Sequence, residues 1–245
     1  MTPRTEANGI AKRFGGLQAL RDVSFVIQAG RVLAVIGPNG AGKSTLINCL
    51  SGAITPDGGT LSLDGRALPR QPGDRLVALG ITRTFQHARL FPHLTVLEHV
   101  LLARDGFERT ARCSERGDAR DRCRALLDRV GLLDKVGLRP AELAYGEQRR
   151  LEVARGLATE PLLFLVDELA AGSTGTEQGG LARLVEHIAG TGAAVLVVEH
   201  HMGLVERVAH EVLVLNFGEP IARGAFDLVK RDPAVIAAYL GSEAA

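Results

Sequence analysis

Residues 32–45 read VLAVIGPNGAGKST, an aliphatic run that ends in the spacing G-x-x-x-x-G-K-[ST]. The first half predicts a buried strand and the second opens a helix at Lys43. The glycines between them let consecutive backbone N–H groups converge on a phosphate. Strand, tight turn and helix in that order form the first unit of a parallel α/β sheet. In such a loop Lys43 reaches the outer phosphates and Ser44 ligates Mg²⁺, with Gly37, Pro38, Asn39, Gly40, Ala41, Gly42 and Thr45 completing the cradle.

The hydrophobic pattern changes period along the chain. From about Thr5 to Gly65 it is strand-like, with VSFVI at 23–27 and TLSLDG at 60–65. From about Phe91 to Ala158 it turns helical: residues 94–103, 118–132 and 146–158 place apolar side chains three and four apart. After Pro161 the strands return as LLFLVDE and AVLVVEH, separated by a helix over about 177–189. This predicts an α/β fold: a P-loop NTPase core of mainly parallel sheet, an N-terminal antiparallel β subdomain and an inserted α-helical subdomain. The expected division is a single domain over 1–245, with core and β subdomain at about 1–87 and 160–245 and the helical part at about 88–159. Residues 211–224 read as a hairpin with Gly218 in its turn, and Pro233 starts a closing helix.

Composition excludes more than it selects. A net charge of +1 gives no reason to expect nucleic acid, and Glu and Asp interspersed through the Arg-rich 104–150 segment suggest a solvated helical face. Cys49, Cys113 and Cys123 lack CxxC spacing, which fits a reducing compartment, and Cys49 reads as a small core residue. The longest apolar runs fall far short of the roughly 18 residues that a span requires, so membrane association must come through a partner. His87, His93 and His99 are expected near such a partner or in solvent. Residues 199–201, EHH, read as strand, where neighbouring side chains diverge and do not chelate together.

Asp167 and Glu168 end the LLFLVDE strand. In a P-loop ATPase an Asp so placed holds Mg²⁺ and an adjacent Glu polarises the attacking water. Acidic residues also end strands without any such role.

The order of motifs resembles that of the nucleotide-binding subunits of ABC transporters over essentially the whole chain. Phe14 precedes the phosphate loop, TFQ delivers Gln86, LAYGEQ at 143–148 sits ahead of Asp167, and His200 ends the next strand. The wording of KRFGGLQAL, GITRTFQHARLFPHLTVLEHV, LAYGEQRRLEVARGLA, VVEHHM and VIAAYLG is similar to that of the ATPase subunits of branched-chain amino-acid importers. The resemblance implies ATP and Mg²⁺ as ligands. Phe14 would stack adenine, and Gln86 would sense Mg²⁺ and the membrane partner. Asp167 would hold the metal through water, and His200 would assist Glu168 at the γ-phosphate. Tyr145, Gly146 and Glu147 would face the nucleotide of a second cassette. It further implies a peripheral subunit on the cytoplasmic face of the plasma membrane. Its partners would be transmembrane permease subunits, a second ABC ATPase as homodimer or heterodimer and, indirectly, a substrate-binding protein; no nucleic acid is expected. A soluble ABC ATPase outside transport, or the ATPase of a lipopolysaccharide or lipid exporter, are the alternatives.

Three departures stand out. Ala144 replaces the usual signature Ser, removing one hydroxyl. Leu169 replaces a Pro, which is expected to loosen the turn after Glu168. Residues 171–177 lack the usual Asp or Asn near Thr174 that couples two sites.

Overall fold

The computed structural model describes residues 4–69, 73–85, 89–110, 119–170 and 175–242. The aliphatic run forms β3 (Val32–Ile36), buried at every position, and α1 (Lys43–Leu50) follows the glycine loop directly. Around β3 lies a six-stranded sheet. Its order is β10 (Glu219–Gly224), β9 (Glu211–Asn216), β3, β8 (Ala194–Val198), β7 (Leu163–Asp167) and β6 (Ile81–Arg83). All neighbours pair in parallel except β10, which forms the expected hairpin with β9. Strands β3, β7 and β8 are buried along their whole length, as a sheet covered on both faces requires.

The N-terminal strands form a separate antiparallel sheet in the order β2 (Leu17–Ile27), β1 (Thr5–Phe14), β4 (Gly58–Leu63) and β5 (Arg66–Ala67). Its buried face, with Ala7, Leu20, Val23 and Phe25, packs into one core with α1 and the near face of β3, β7 and β8. Cys49 joins that core as expected, and burial pushes its thiol up to about 11.

Between β6 and β7 the chain builds α3 (Val96–Thr110), α4 (Ala119–Arg129) and α5 (Tyr145–Leu157). Gly156 lets α5 approach the sheet: a Cβ there would meet the Phe164 ring at 2.7 Å and the Thr82 methyl at 2.9 Å. The same sheet face is covered further by α6 (Gly175–Gly190), whose Leu181, Val185 and Ile188 join Leu151 and Ala154 of α5 in the larger core. Beyond β8 and β10 come α7 (Met202–Val208), α8 (Phe226–Val229) and α9 (Pro233–Ser242).

Several elements depart from the sequence pattern. A short helix α2 (Gly73–Ala78), the three-residue β6, and helices α7 and α8 have no counterpart among the expected elements. Each spans too few residues for a period to emerge. Strand β8 stops at Val198, so Glu199 and His200 lie just past it and His201 is the N-cap of α7. The solvated reading of the Arg-rich segment fails at two positions, since Arg149 is 0% and Arg104 4% exposed. Arg104 is paired with Glu108 and Glu160. His99 is also fully buried rather than solvated.

Candidate nucleotide site

The loop between β3 and α1 is shaped by glycine at positions where no other residue fits. Gly37 has φ +147°, and a Cβ there would lie 2.1 Å from the Leu215 carbonyl oxygen. Gly42 has φ +102° and the Ala19 carbonyl oxygen 2.6 Å from the same point. The loop is therefore wedged between β2 and β9, and the Gly218 N–H donates to the Ala41 carbonyl at 3.0 Å. Gly40 differs: its φ is +78°, but nothing lies within 4 Å of a would-be Cβ, so its outer side is open. Because Gly42 is the N-cap of α1 and no side chain caps that end, the first-turn N–H groups remain available to an anion. Asn39, Gly40 and Ser44 are exposed, and Thr45 is partly buried.

Lys43 is 5% exposed and folds back over its own loop, donating from Nζ to Gly37 O at 2.7 Å and Pro38 O at 2.8 Å. Burial lowers its pKa, and the nearby Glu168 carboxylate opposes that shift. An open glycine, an uncapped helix start and a buried ammonium form a cradle that fits a polyphosphate.

The ends of β7 and β8 place the acidic groups beside that cradle. Asp167, 9% exposed, closes β7; its Oδ2 accepts from Arg83 Nη2 at 2.6 Å and its N–H donates to Thr84 Oγ1 at 3.3 Å. Glu168 follows with φ +46°, a left-handed conformation that costs a side-chain-bearing residue of order 1 kcal/mol. The surroundings hold it there. Its N–H donates to Val198 O at 2.9 Å, Leu169 is fully buried in the larger core, and the Ala170 N–H donates to Glu199 Oε1 at 2.9 Å. The turn expected to loosen without proline is thus anchored by a buried leucine. Burial raises the pKa of Glu199, while N–H groups of Ala170, His200 and His201 stabilise its charge. Glu168 Oε1 lies 2.8 Å from His200 Nε2, with the imidazole about half exposed.

Phe14 ends β1 half exposed, with Lys12 Nζ 5.4 Å from its ring centroid, so an apolar ring surface stands at the margin of the β sheet. Gln86 lies outside the described residues, as do residues 171–174, where the missing coupling residue was expected.

The LAYGEQ stretch forms the start of α5, with Ala144 at the N-cap in extended conformation. The Ala144 N–H donates to Glu147 Oε2 at 3.0 Å, one half of a capping box whose other half an alanine cannot make. Glu147 is also paired with Lys135 and Arg150; Lys135, with the Ala144 N–H behind it, lowers its pKa. Tyr145 and Gly146 stand at the helix head, and the Tyr145 hydroxyl accepts from Arg149 Nη2 at 2.8 Å.

Three residues to which the sequence assigned no site role join these parts. Arg149 Nη1 donates to Phe85 O at 2.5 Å, and the Phe85 N–H donates to Glu152 Oε1 at 3.0 Å. Both polar groups of one peptide residue are therefore gripped from α5, immediately before residue 86. The third is Arg83. The i,i+3 spacing of Arg149 and Glu152, flanked by Leu151, Val153 and Ala154, was a readable sign that this face of α5 is buried. Beside them a cleft of about 660 Å³ is lined by Ser51, Arg83, Phe85, Arg89, Phe107 and Arg155.

Comparisons with known proteins agree with this geometry. A family model described as ABC transporter matches residues 20–171, and one described as branched-chain amino acid ATP-binding cassette transporter matches residues 219–245. The chain is 39% identical to the high-affinity branched-chain amino acid transport ATP-binding protein LivG of Salmonella typhimurium, over 98% of both chains. It is 38% identical to BraF of Pseudomonas aeruginosa, named for the same transport, again over 98% of both. Among solved structures, the ADP conformation of MJ1267, an ATP-binding cassette of an ABC transporter, superposes with a TM-score of 0.87 at 27% identity, covering 98% of this chain and 100% of that one. A nucleotide-free cassette from an ABC transporter gives 0.82 at 26% identity, over 97% and 98%. With the phosphate cradle, the carboxylates beside it and whole-length similarity all in agreement, the chain belongs to the ABC transporter family, as one of its ATP-binding and ATP-hydrolysing cassettes.

Proposed function

We propose that this cassette energises an importer of branched-chain amino acids or a related small polar solute. The observation that carries its chemistry is the gathering of Lys43, Asp167, Glu168 and His200 around one glycine cradle, at the ends of β3, β7 and β8. The substrate class follows from LivG and BraF, whose names specify branched-chain amino acid transport.

In this reading the loop amides of residues 37–42 and the start of α1 bind the phosphates of ATP, and Phe14 stacks the base. Lys43 exchanges its bonds to Gly37 and Pro38 for phosphate oxygens, which its buried position makes favourable once an anion is present. Ser44, Gln86 and, through water, Asp167 are the residues that would hold Mg²⁺. When bound, the metal neutralises charge on the outer phosphate oxygens. Glu168 polarises water, and His200 keeps that carboxylate aligned and approaches the γ-phosphate; catalysis is mainly positioning and electrostatics.

The backbone N–H groups of Tyr145 and Gly146, backed by the dipole of α5, address the nucleotide of a second cassette. Glu147 shapes that turn, because its carboxylate is already engaged. The cleft beside Phe85, walled by the helical part (about 88–159) on one side and by Ser51, Arg83 and Phe85 on the other, we assign to a cytoplasmic segment of a transmembrane permease. No helix among the described residues is long and apolar enough to cross a membrane. The peripheral place at the cytoplasmic face belongs to the proposal through the chain's likeness to the transport ATP-binding proteins LivG and BraF.

The test is the solution mass of a Glu168→Gln variant with and without Mg-ATP, beside the hydrolysis rate of the parent. ATP-dependent dimerisation would support a symmetric pair. ATP binding without a dimer would point to a second, different ATPase subunit. A parent that does not hydrolyse ATP, alone or with its permease, would refute the assignment.

A further inference from the structure

We propose that Arg83 is a positioning residue for the metal-side carboxylate, one guanidinium fixing Asp167 against the helix that carries Ser44. This rests on the nucleotide-site reading above. Arg83 ends the edge strand β6, and its side chain is 12% exposed. Nη2 donates to Asp167 Oδ2 at 2.6 Å. Nη1 donates to Asn48 Oδ1 at 2.6 Å and Ser51 Oγ at 3.0 Å. Asn48 lies one helical turn beyond Ser44, so the two share a face of α1. The two sides of the expected metal position, the α1 side chain and the β7 carboxylate, are thereby held at one separation by a single rigid fork.

The division of labour at Asp167 is specific. Oδ2 is taken by Arg83, while Oδ1 has no hydrogen-bond partner among the described residues and is free to accept from a metal-bound water. The Arg83 guanidinium lies 5.1 Å from the Phe85 ring centroid, a further restraint on its plane. Its charge opposes a nearby cation, but that charge is delocalised and shared among three oxygen partners. Orientation of the carboxylate therefore outweighs repulsion, and losing the fork weakens metal binding. Supporting groups of this kind change metal affinity by roughly 10–100-fold in other proteins.

The experiment compares the full-length parent with Arg83→Gln, Arg83→Lys and Asn48→Ala. Calorimetry measures the affinity for a non-hydrolysable ATP analogue in EDTA and in Mg²⁺, and Mn²⁺ paramagnetic resonance measures metal bound to the complex. In Arg83→Gln the metal-dependent gain in nucleotide affinity is expected to fall about tenfold, with the EDTA affinity unchanged. Lys, which keeps the charge but not the fork, should restore part of the gain, and Asn48→Ala should lose a few-fold. An undiminished or larger gain in Arg83→Gln would overturn the proposal, as would an equal loss with and without metal. Should the Gln variant fail to fold, the same comparison on the Lys and Asn48→Ala variants decides, and full gain in both overturns it. A parent that binds no nucleotide would refute the underlying site, whereas a parent with metal-dependent binding isolates the question of Arg83.

Discussion

Glu168 Oε1 and His200 Nε2 stand 2.8 Å apart across the ends of two neighbouring parallel strands. Neither strand alone makes the pair. Glu168 reaches it from a left-handed backbone, and His200 from the residue pair between β8 and α7. Replacing Glu168 by Gln or His200 by Ala is expected to slow ATP hydrolysis about 10²–10⁴-fold. Nucleotide affinity should stay within a few-fold, because neither side chain belongs to the phosphate cradle. Steady-state phosphate release and equilibrium binding on the same preparations check both halves.

The glycine loop separates fold from function within three residues. Gly37→Ala forces a Cβ to within 2.1 Å of a backbone oxygen and is expected to destabilise the chain by about 2–4 kcal/mol. Gly40→Ala has open space and should cost only the left-handed strain, about 1 kcal/mol, while weakening ATP binding by crowding the cradle. Urea denaturation of the two variants, beside ATP titrations, distinguishes them.

The Arg149–Glu152 pair, 0% and 1% exposed at its side chains, offers a sharp energetic test. Arg149→Met leaves a buried carboxylate and the Phe85 carbonyl without their partner and should cost about 3–5 kcal/mol. Adding Glu152→Leu removes the stranded charge, so the double variant should lose less than the sum of the singles. Additive losses in chemical denaturation would show that the pair is not coupled.

His99 predicts a pH dependence of stability. Its Nε2 accepts from the Phe91 N–H at 2.9 Å, so Nδ1 carries the proton and bonds Thr95 O at 2.8 Å. Burial, aided by nearby Arg155, lowers its pKa below the ordinary 6.5. Below about pH 6.5 the unfolded chain then binds a proton that the folded chain resists, so stability falls as pH falls; above that value both forms are neutral and the effect vanishes. His187 and His210 are shifted in the same direction, so the measurement is a difference: melting temperature from pH 5 to 7.5 should fall more steeply in the parent than in His99→Gln.

What the sequence disclosed and what it hid divide along physical lines. The phosphate loop was legible because its requirements are local: glycines at fixed offsets, one lysine, a helix start. The long strands and α3–α6 were legible from their periods. Arg104 and Arg149 were read as part of a solvated face, since a charged residue reports its polarity but not which helix face meets the sheet. Arg83 was invisible for a related reason: its strand has three residues, and its partners lie 35 and 84 positions away. Leu169 shows the reverse error, where a missing proline suggested slack but burial supplies the restraint.

The doubly bonded backbone of Phe85 leaves almost no play between α5 and the edge of the main sheet. A tilt of that helix must carry Phe85 with it, and a displacement of Phe85 must return through Arg149 and Glu152 to Tyr145 at the head of the helix. Held this way, α5 behaves as a rocker arm on a fixed pin, so that its head at Tyr145 and the chain leaving the edge strand at Phe85 keep the same time.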